Sequence, residues 1–179
     1  MSTSNTSPQI GSKIFLIGFM GSGKTHWGRI WAQQYALGFF DLDEVIEQEQ
    51  KKTITAIFEK DGEAYFRKLE TETLKTLSKN NNCIIACGGG APCFNNNLHW
   101  MNKNGITVYL SAPPQYLYNR VIEEKEKRPI IKNINKPGLL LFIEEKLKER
   151  EPVYKQAHLI LDAAALTADS FERIKNYKS

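Results

Sequence analysis

Short apolar runs alternate with longer amphipathic stretches along this 179-residue chain. Apolar runs at Lys13–Ile17, Gly38–Asp41, Asn82–Ala86, Ile106–Leu110 and His158–Leu161 predict five strands. Continuous rather than alternating hydrophobicity marks strands buried on both faces, as in a parallel sheet. Helical patterns fill the gaps, at about Lys24–Ala36, Leu42–Gln50, Thr53–Lys60, Gly62–Lys79, Pro113–Glu124, Gly138–Arg150 and Ala168–Tyr177. This alternation predicts an α/β fold, a three-layer α/β/α arrangement around a five-stranded parallel sheet. No internal repeat or linker divides residues 13–179, which read as a single domain with room for a substantial core. Residues 1–12 are small and polar and read as a disordered N-terminal tail. Trp27 and Trp31, spaced i, i+4, are expected to pack on the sheet.

Composition narrows the function classes. Hydrophobic residues make up 41% and charged residues 25%, the ordinary globular balance. The net charge of +4 suits small anionic ligands. Its lysines are scattered, and no basic arm carries interleaved aromatics, so no nucleic-acid partner is expected. No apolar run approaches the roughly 20 residues of a membrane span, and the tail lacks a signal core. No membrane partner and a cytoplasmic location follow as expectations. Cys83, Cys87 and Cys93 are odd in number and have no histidine nearby, which argues against disulfides and a metal cluster.

The strongest chemical signal is Gly18-Phe19-Met20-Gly21-Ser22-Gly23-Lys24-Thr25. It matches G-x-x-x-x-G-K-[ST], a phosphate-binding loop, and lies between a strand and a helix as that loop requires. Glycines let backbone N–H groups turn toward phosphate oxygens, and the helix N-terminus adds dipole and free N–H groups. Lys24 is expected to reach the β- and γ-phosphates, and the Thr25 hydroxyl to ligate Mg²⁺.

Ligands of such folds gather at the carboxyl ends of the strands. There the chain carries Asp41-Leu42-Asp43, whose extended alternation would put both carboxylates on one side. The alternative is that Asp43 merely caps the following helix. Arg67 and Glu70 are spaced i, i+3 and can pair, which alone suggests an exposed surface pair. Gly88-Gly89-Gly90 follows the third strand, and three consecutive glycines imply close approach of a ligand to backbone. Arg128-Pro129 lies in an aperiodic stretch that reads as an exposed segment, and Arg150 closes the long helix, where it could answer the helix dipole. His26, His99 and His158 stand isolated. Leu159-Ile160-Leu161-Asp162 imitates a strand ending in a metal-binding Asp, but too little chain follows it to complete a nucleotide core.

Taken together, these motifs resemble shikimate kinase, from about Ile14 to Ile174 and in the family's order. The phosphate loop alone specifies a superfamily. The set Asp41-Leu42-Asp43, Phe66-Arg67 with Glu70, Gly88–Gly90, Arg128-Pro129 and Arg150 with Pro152 and Tyr154 is far more specific. The resemblance implies the phosphate-loop kinase fold with a mobile lid at about 124–137 and substrate-binding helices at about 42–79. It implies transfer of the ATP γ-phosphate to the 3-hydroxyl of shikimate, with Mg²⁺, by a monomer with no macromolecular partner. Lys24, Asp43 and Arg128 would be catalytic. Gly21, Ser22, Gly23, Lys24, Thr25, His26, Arg120 and Arg128 would bind the nucleotide, with Arg120 on the adenine side. Asp43, Phe58, Phe66, Arg67, Gly88, Gly89, Gly90 and Arg150 would hold shikimate, the two arginines gripping its carboxylate. Thr25 and Asp41 would hold the metal, Asp41 through water. Adenine would also touch backbone near Ala163–Leu166, a stretch more apolar here than the family usually shows.

Two other readings compete. Another kinase of the superfamily, such as a gluconate or nucleoside monophosphate kinase, would lack the Asp43, Arg67, Gly88–Gly90 and Arg150 set. A GTPase-like switch would carry an N-K-x-D guanine signature, and the nearest strings are Asn102-Lys103-Asn104-Gly105 and Asn135-Lys136-Pro137-Gly138. Lys24→Ala is expected to abolish turnover without changing the thermal unfolding curve. Normal turnover would remove the phosphate loop from the mechanism.

Overall fold

The computed structural model describes residues 13–123, 131 and 134–177. Five strands form one sheet: β1 (Lys13–Ile17), β2 (Gly38–Asp41), β3 (Cys83–Ala86), β4 (Ile106–Ser111) and β5 (Leu159–Asp162). Their order is β2-β3-β1-β4-β5, and every pairing is parallel. Burial follows position in that order. Every residue of β3 is buried, as are Ile14–Ile17 of β1 and Thr107–Leu110 of β4. Adjacent residues of a strand face opposite sides, so such burial means that both faces of the central sheet are covered. The edge strands β2 and β5 are only partly buried.

The helices are α1 (Lys24–Gln34), α2 (Leu42–Gln50), α3 (Ile54–Leu77), α4 (Asn97–Asn104), α5 (Pro114–Val121), α6 (Lys136–Tyr154) and α7 (Phe171–Lys175). The expected break near Gly62 exists as a kink: α3 runs through, but Gly62 has φ 83° and ψ 168°. Thr53 caps α3 by accepting from the Ala56 amide at 3.2 Å. Helix α4 was not expected. Asn95 and Asn96, both at positive φ, form the turn into it, and it buries only Leu98, Met101 and the first-turn Asn97. A short helix among asparagines leaves almost no periodic signal. Helix α6 starts earlier than its pattern, at a cap in which Asn135 accepts from Gly138 N at 2.8 Å. It also continues through Pro152 to Tyr154, so Arg150 stands inside the helix rather than at its end.

Trp31 is fully buried but does not simply lie on the sheet. It stacks on Trp27 at 5.8 Å, faces Phe171 of α7 at 5.9 Å and donates from Nε1 to the Thr167 carbonyl at 3.3 Å. The aromatic spacing thus binds α1 to the C-terminal helix. His158 accepts from the Thr107 amide at 3.2 Å and has a structural role between β4 and β5. Cys83 and Cys87 are buried free thiols, and burial pushes the Cys87 thiol well above its usual range.

Gly105 leads from α4 into β4 in extended backbone, and a Cβ there would press on the Lys13 carbonyl oxygen at the start of β1. Backbone cannot step aside as a flexible side chain can. Gly105→Ala is therefore expected to lower stability by about 1–3 kcal/mol. Urea unfolding would measure it, and an unchanged midpoint would refute the packing argument.

Candidate active site

The phosphate loop leaves the C-terminal end of β1 and feeds directly into α1. Gly21 (φ 81°) and Gly23 (φ 89°) take left-handed backbone conformations that a side chain would strain. Gly23 is also the residue that opens α1, so the free amides of that helix start point into the loop. Lys24 folds back over it, donating to the carbonyls of Gly18 and Phe19 at 2.9 Å each. Gly21, Gly23, Lys24, Thr25, His26 and Arg120 line one side of a cavity of about 610 Å³. Ser22 is the exception among the expected nucleotide residues. Its side chain is buried against Gly18 and does not line the cavity, leaving only its backbone to contribute.

Asp41 and Asp43 line the same cavity. Strand alternation does not bring them together, because β2 ends at Asp41 and Asp43 already sits in the first turn of α2. Asp41, not Asp43, caps that helix. Its Oδ1 accepts from the amides of Asp43 (3.1 Å) and Glu44 (3.4 Å), while its Oδ2 accepts from Thr25 Oγ1 at 2.6 Å. A hydroxyl and a carboxylate thus converge at the mouth of the loop, a hard-oxygen pair suited to a divalent cation that keeps most of its waters. Among the described residues no three His, Cys, Asp or Glu side chains cluster as a metal site. A cation held through one or two protein oxygens and substrate phosphates does not need such a cage.

A second cavity of about 260 Å³ adjoins the first, sharing Met20, Asp43, Glu44, Gly88 and Gly89 with it. Phe58, Phe66, Arg67, Gly90 and Arg150 line it, together with Glu70. Arg67 is not a surface residue. It is 7% exposed, and it donates from Nη1 to Glu70 Oε2 at 2.8 Å and from Nε and Nη2 to Glu63 Oε1 at 3.2 and 3.0 Å. Its guanidinium also lies 4.2 Å from the Phe94 ring centroid and 5.1 Å from that of Phe66. Sequence reading missed Glu63 and Phe94. Glu63 carried the i, i+4 signal toward Arg67, whereas only the tertiary fold brings Phe94 across.

The glycine turn makes room chiefly for the protein's own charges. A Cβ on Gly88 would stand 2.9 Å from both Asp43 Oδ1 and Glu70 Oε1, and one on Gly90 would stand 2.6 Å from Arg67 Nη2. Gly88 and Gly90 are needed because carboxylates and a guanidinium crowd the strand end, whereas a Cβ on Gly89 would make only ordinary contacts at 3.5 Å or more. On the other flank, Tyr116 accepts from Arg120 Nη1 at 3.3 Å and donates to the Ala163 carbonyl at 3.2 Å. Arg120 and the turn after β5 therefore border the loop together. The amides of Ala163, Ala164 and Ala165 are already spent on Ser111 O, Asp162 Oδ1 and Asp162 O. Arg128 and most of the expected lid lie outside the described residues.

Glu70 is almost wholly buried, and burial pushes its carboxyl up to about 7; Arg67 opposes the shift and the Asp43 charge adds to it. Between the ordinary value of 4.5 and about 7 the folded protein holds a proton that the unfolded chain has lost. Stability is then expected to fall as pH rises through that window and to level off above it. Urea unfolding below and above the window would test this against Glu70→Gln, which keeps the shape but cannot ionise. Equal pH slopes in the two proteins would refute it.

Comparison with known proteins shows what the chain as a whole is similar to. Residues 20–177 match the family model described as "Shikimate kinase". The chain is 41% identical over 154 residues to the shikimate kinase of Bacteroides thetaiotaomicron, spanning 86% of this chain and 88% of that one. It is 41% identical over 147 residues to that of Flavobacterium johnsoniae, spanning 81% and 86%. The crystal structure of the Bacteroides thetaiotaomicron shikimate kinase superposes with a TM-score of 0.86 at 38% identity, covering 92% of this chain and 96% of that one. The Acinetobacter baumannii shikimate kinase in complex with shikimate superposes with a TM-score of 0.83 at 34% identity, covering 93% and 92%.

Proposed function

The chain belongs to the shikimate kinase family, and from that premise we propose how its two cavities divide the reaction. The enzyme transfers the γ-phosphoryl group of ATP to the 3-hydroxyl of shikimate and uses Mg²⁺. The larger cavity takes the nucleotide and the smaller takes the acceptor. The observation that carries this division is Asp43, in the wall common to both cavities.

On the donor side, the amides of the loop and of the α1 start bind phosphate oxygens, and Lys24 leaves its two carbonyls to meet the β- and γ-phosphates. Thr25 and Asp41 would hold the cation, which when bound neutralises charge on the phosphates. Arg120 borders the base, which meets the following turn through carbonyl acceptors or the Leu166 amide. On the acceptor side, Arg67 and Arg150 present N–H donors to the shikimate carboxylate, a geometry that a neutral polyol satisfies poorly. Phe58 and Phe66 wall the ring, and the Gly88–Gly90 backbone supports it. Asp43 faces the accepting hydroxyl and orients it or takes its proton. Arg128 is assigned to the transferring phosphate by its motif alone. Catalysis on this reading is positioning and charge neutralisation rather than covalent chemistry. The substrates are small molecules. Among the described residues no helix is long and apolar enough to cross a membrane. A monomer working in the cytoplasm, with residues 13–179 as one domain, is the reading carried forward.

An acceptor panel with coupled detection of ADP tests the whole assignment. Turnover is expected on shikimate and not on gluconate or a nucleoside monophosphate, and the reverse would overturn it. Arg150→Ala is expected to raise the KM for shikimate by more than about tenfold while leaving that for ATP within about twofold. Equal loss for both substrates would make the residue structural instead.

A further inference from the structure

Helix α6 carries Arg150 into the acceptor cavity and ends one turn later at Tyr154. Residues four apart lie above one another on a helix, so the two side chains can meet. Tyr154 is fully buried, and its ring packs 5.1 Å from that of Tyr109 on β4, which limits its rotation. Its hydroxyl donates to the carbonyl oxygen of Gly89. The Arg150 guanidinium converges on the same glycine: a Cβ built on Gly89 would stand 3.6 Å from its Nη1. Burial raises the pKa of the Tyr154 hydroxyl, and the nearby Arg150 charge opposes that rise. Gly89 lies in the wall that the two cavities share.

The polarity of any hydrogen bond between these two side chains is fixed. A phenol has one proton, and here it goes to Gly89, so only oxygen lone pairs face Arg150. Arginine has donors and no acceptor, so it can only donate in return. A relay through these groups can therefore run only from Arg150 to Tyr154 to Gly89. The guanidinium also faces the Phe19 ring, with its centroid 5.7 Å away, which constrains orientation weakly.

We propose that Tyr154 is the positioning residue of the acceptor site: its hydroxyl ties Arg150 to the Gly89 backbone. The carboxylate grip and the floor under the acceptor ring then share one rigid frame. This rests on Arg150 gripping the acceptor carboxylate. Without the hydroxyl, the arginine keeps its charge but loses its tether, and the Gly89 carbonyl loses its partner. The cost falls on the acceptor and not on the nucleotide.

Steady-state kinetics of Tyr154→Phe, Arg150→Ala and the double variant test the idea, with KM for shikimate and for ATP measured in each. Neither constant depends on the fraction of enzyme that folds. Tyr154→Phe is expected to raise the KM for shikimate about tenfold, the scale of one hydrogen bond to a charged group, with that for ATP within about twofold. The double variant is expected to match Arg150→Ala within about twofold, because the tyrosine acts through the arginine. An unchanged shikimate KM in Tyr154→Phe, equal rises for both substrates, or a full additional factor in the double variant would each overturn the proposal. If Arg150→Ala leaves the shikimate KM unchanged, the carboxylate assignment falls and takes this one with it. If only Tyr154→Phe is silent, the carboxylate assignment stands and this one fails.

Discussion

A guanidinium taken out of water must be neutralised where it stands, and the wall of the smaller cavity is arranged around that requirement. Arg67 has little access to solvent, so Glu70 behind it and Glu63 beside it take its donors, and Phe94 and Phe66 cover its faces. Removing one partner of such a buried pair strands the other charge, which costs far more than breaking a pair in water. Glu70 in turn carries the strain of its burial, with Oε1 lacking a hydrogen-bond partner among the described residues. The pair fixes Arg67 in one orientation, so a ligand bound there would find it preorganised at a lower cost of binding.

The glycine turn follows from the same crowding. Asp43, Glu70 and Arg67 approach the end of β3 from two helices, α2 and α3, and occupy the space where side chains on Gly88 and Gly90 would stand. Backbone without side chains is what lets acid, base and loop meet at one wall. The larger cavity depends on it too, because Asp43, Gly88 and Gly89 line both cavities. Asp41 joins α2 to the loop by a different route, dividing its two oxygens between the α2 cap and the Thr25 hydroxyl.

Much of this was legible without coordinates. The five apolar runs became strands within a residue or two of their expected limits; β1, β3 and β4 were plain because a strand buried on both faces cannot hide its hydrophobicity. Gly21, Gly23, Lys24 and Thr25 of the loop, the aspartates, Arg67, the glycines and Arg150 line the two cavities, whereas Ser22 does not. What failed was local logic applied to contacts that are not local. Strand alternation did not bring Asp43 beside Asp41; a helix start did. Spacing alone made Arg67 and Glu70 a surface pair, because i, i+3 geometry says nothing about what covers it. Helix α4 was invisible because eight residues burying three side chains leave no periodic trace.

The amino-acid sequence by itself determined the sheet, the phosphate loop and the family, since each rests on patterns contiguous in the chain. Hydrophobic periodicity and backbone freedom at glycine act over a few residues. Tertiary structure alone decided which charges are buried, where Phe94 and Tyr154 point, and how three charged side chains share the room left by Gly88 and Gly90. Burial depends on what distant segments bring across. The energy of a charge or a hydrogen bond depends far more on that covering than on its neighbours in sequence.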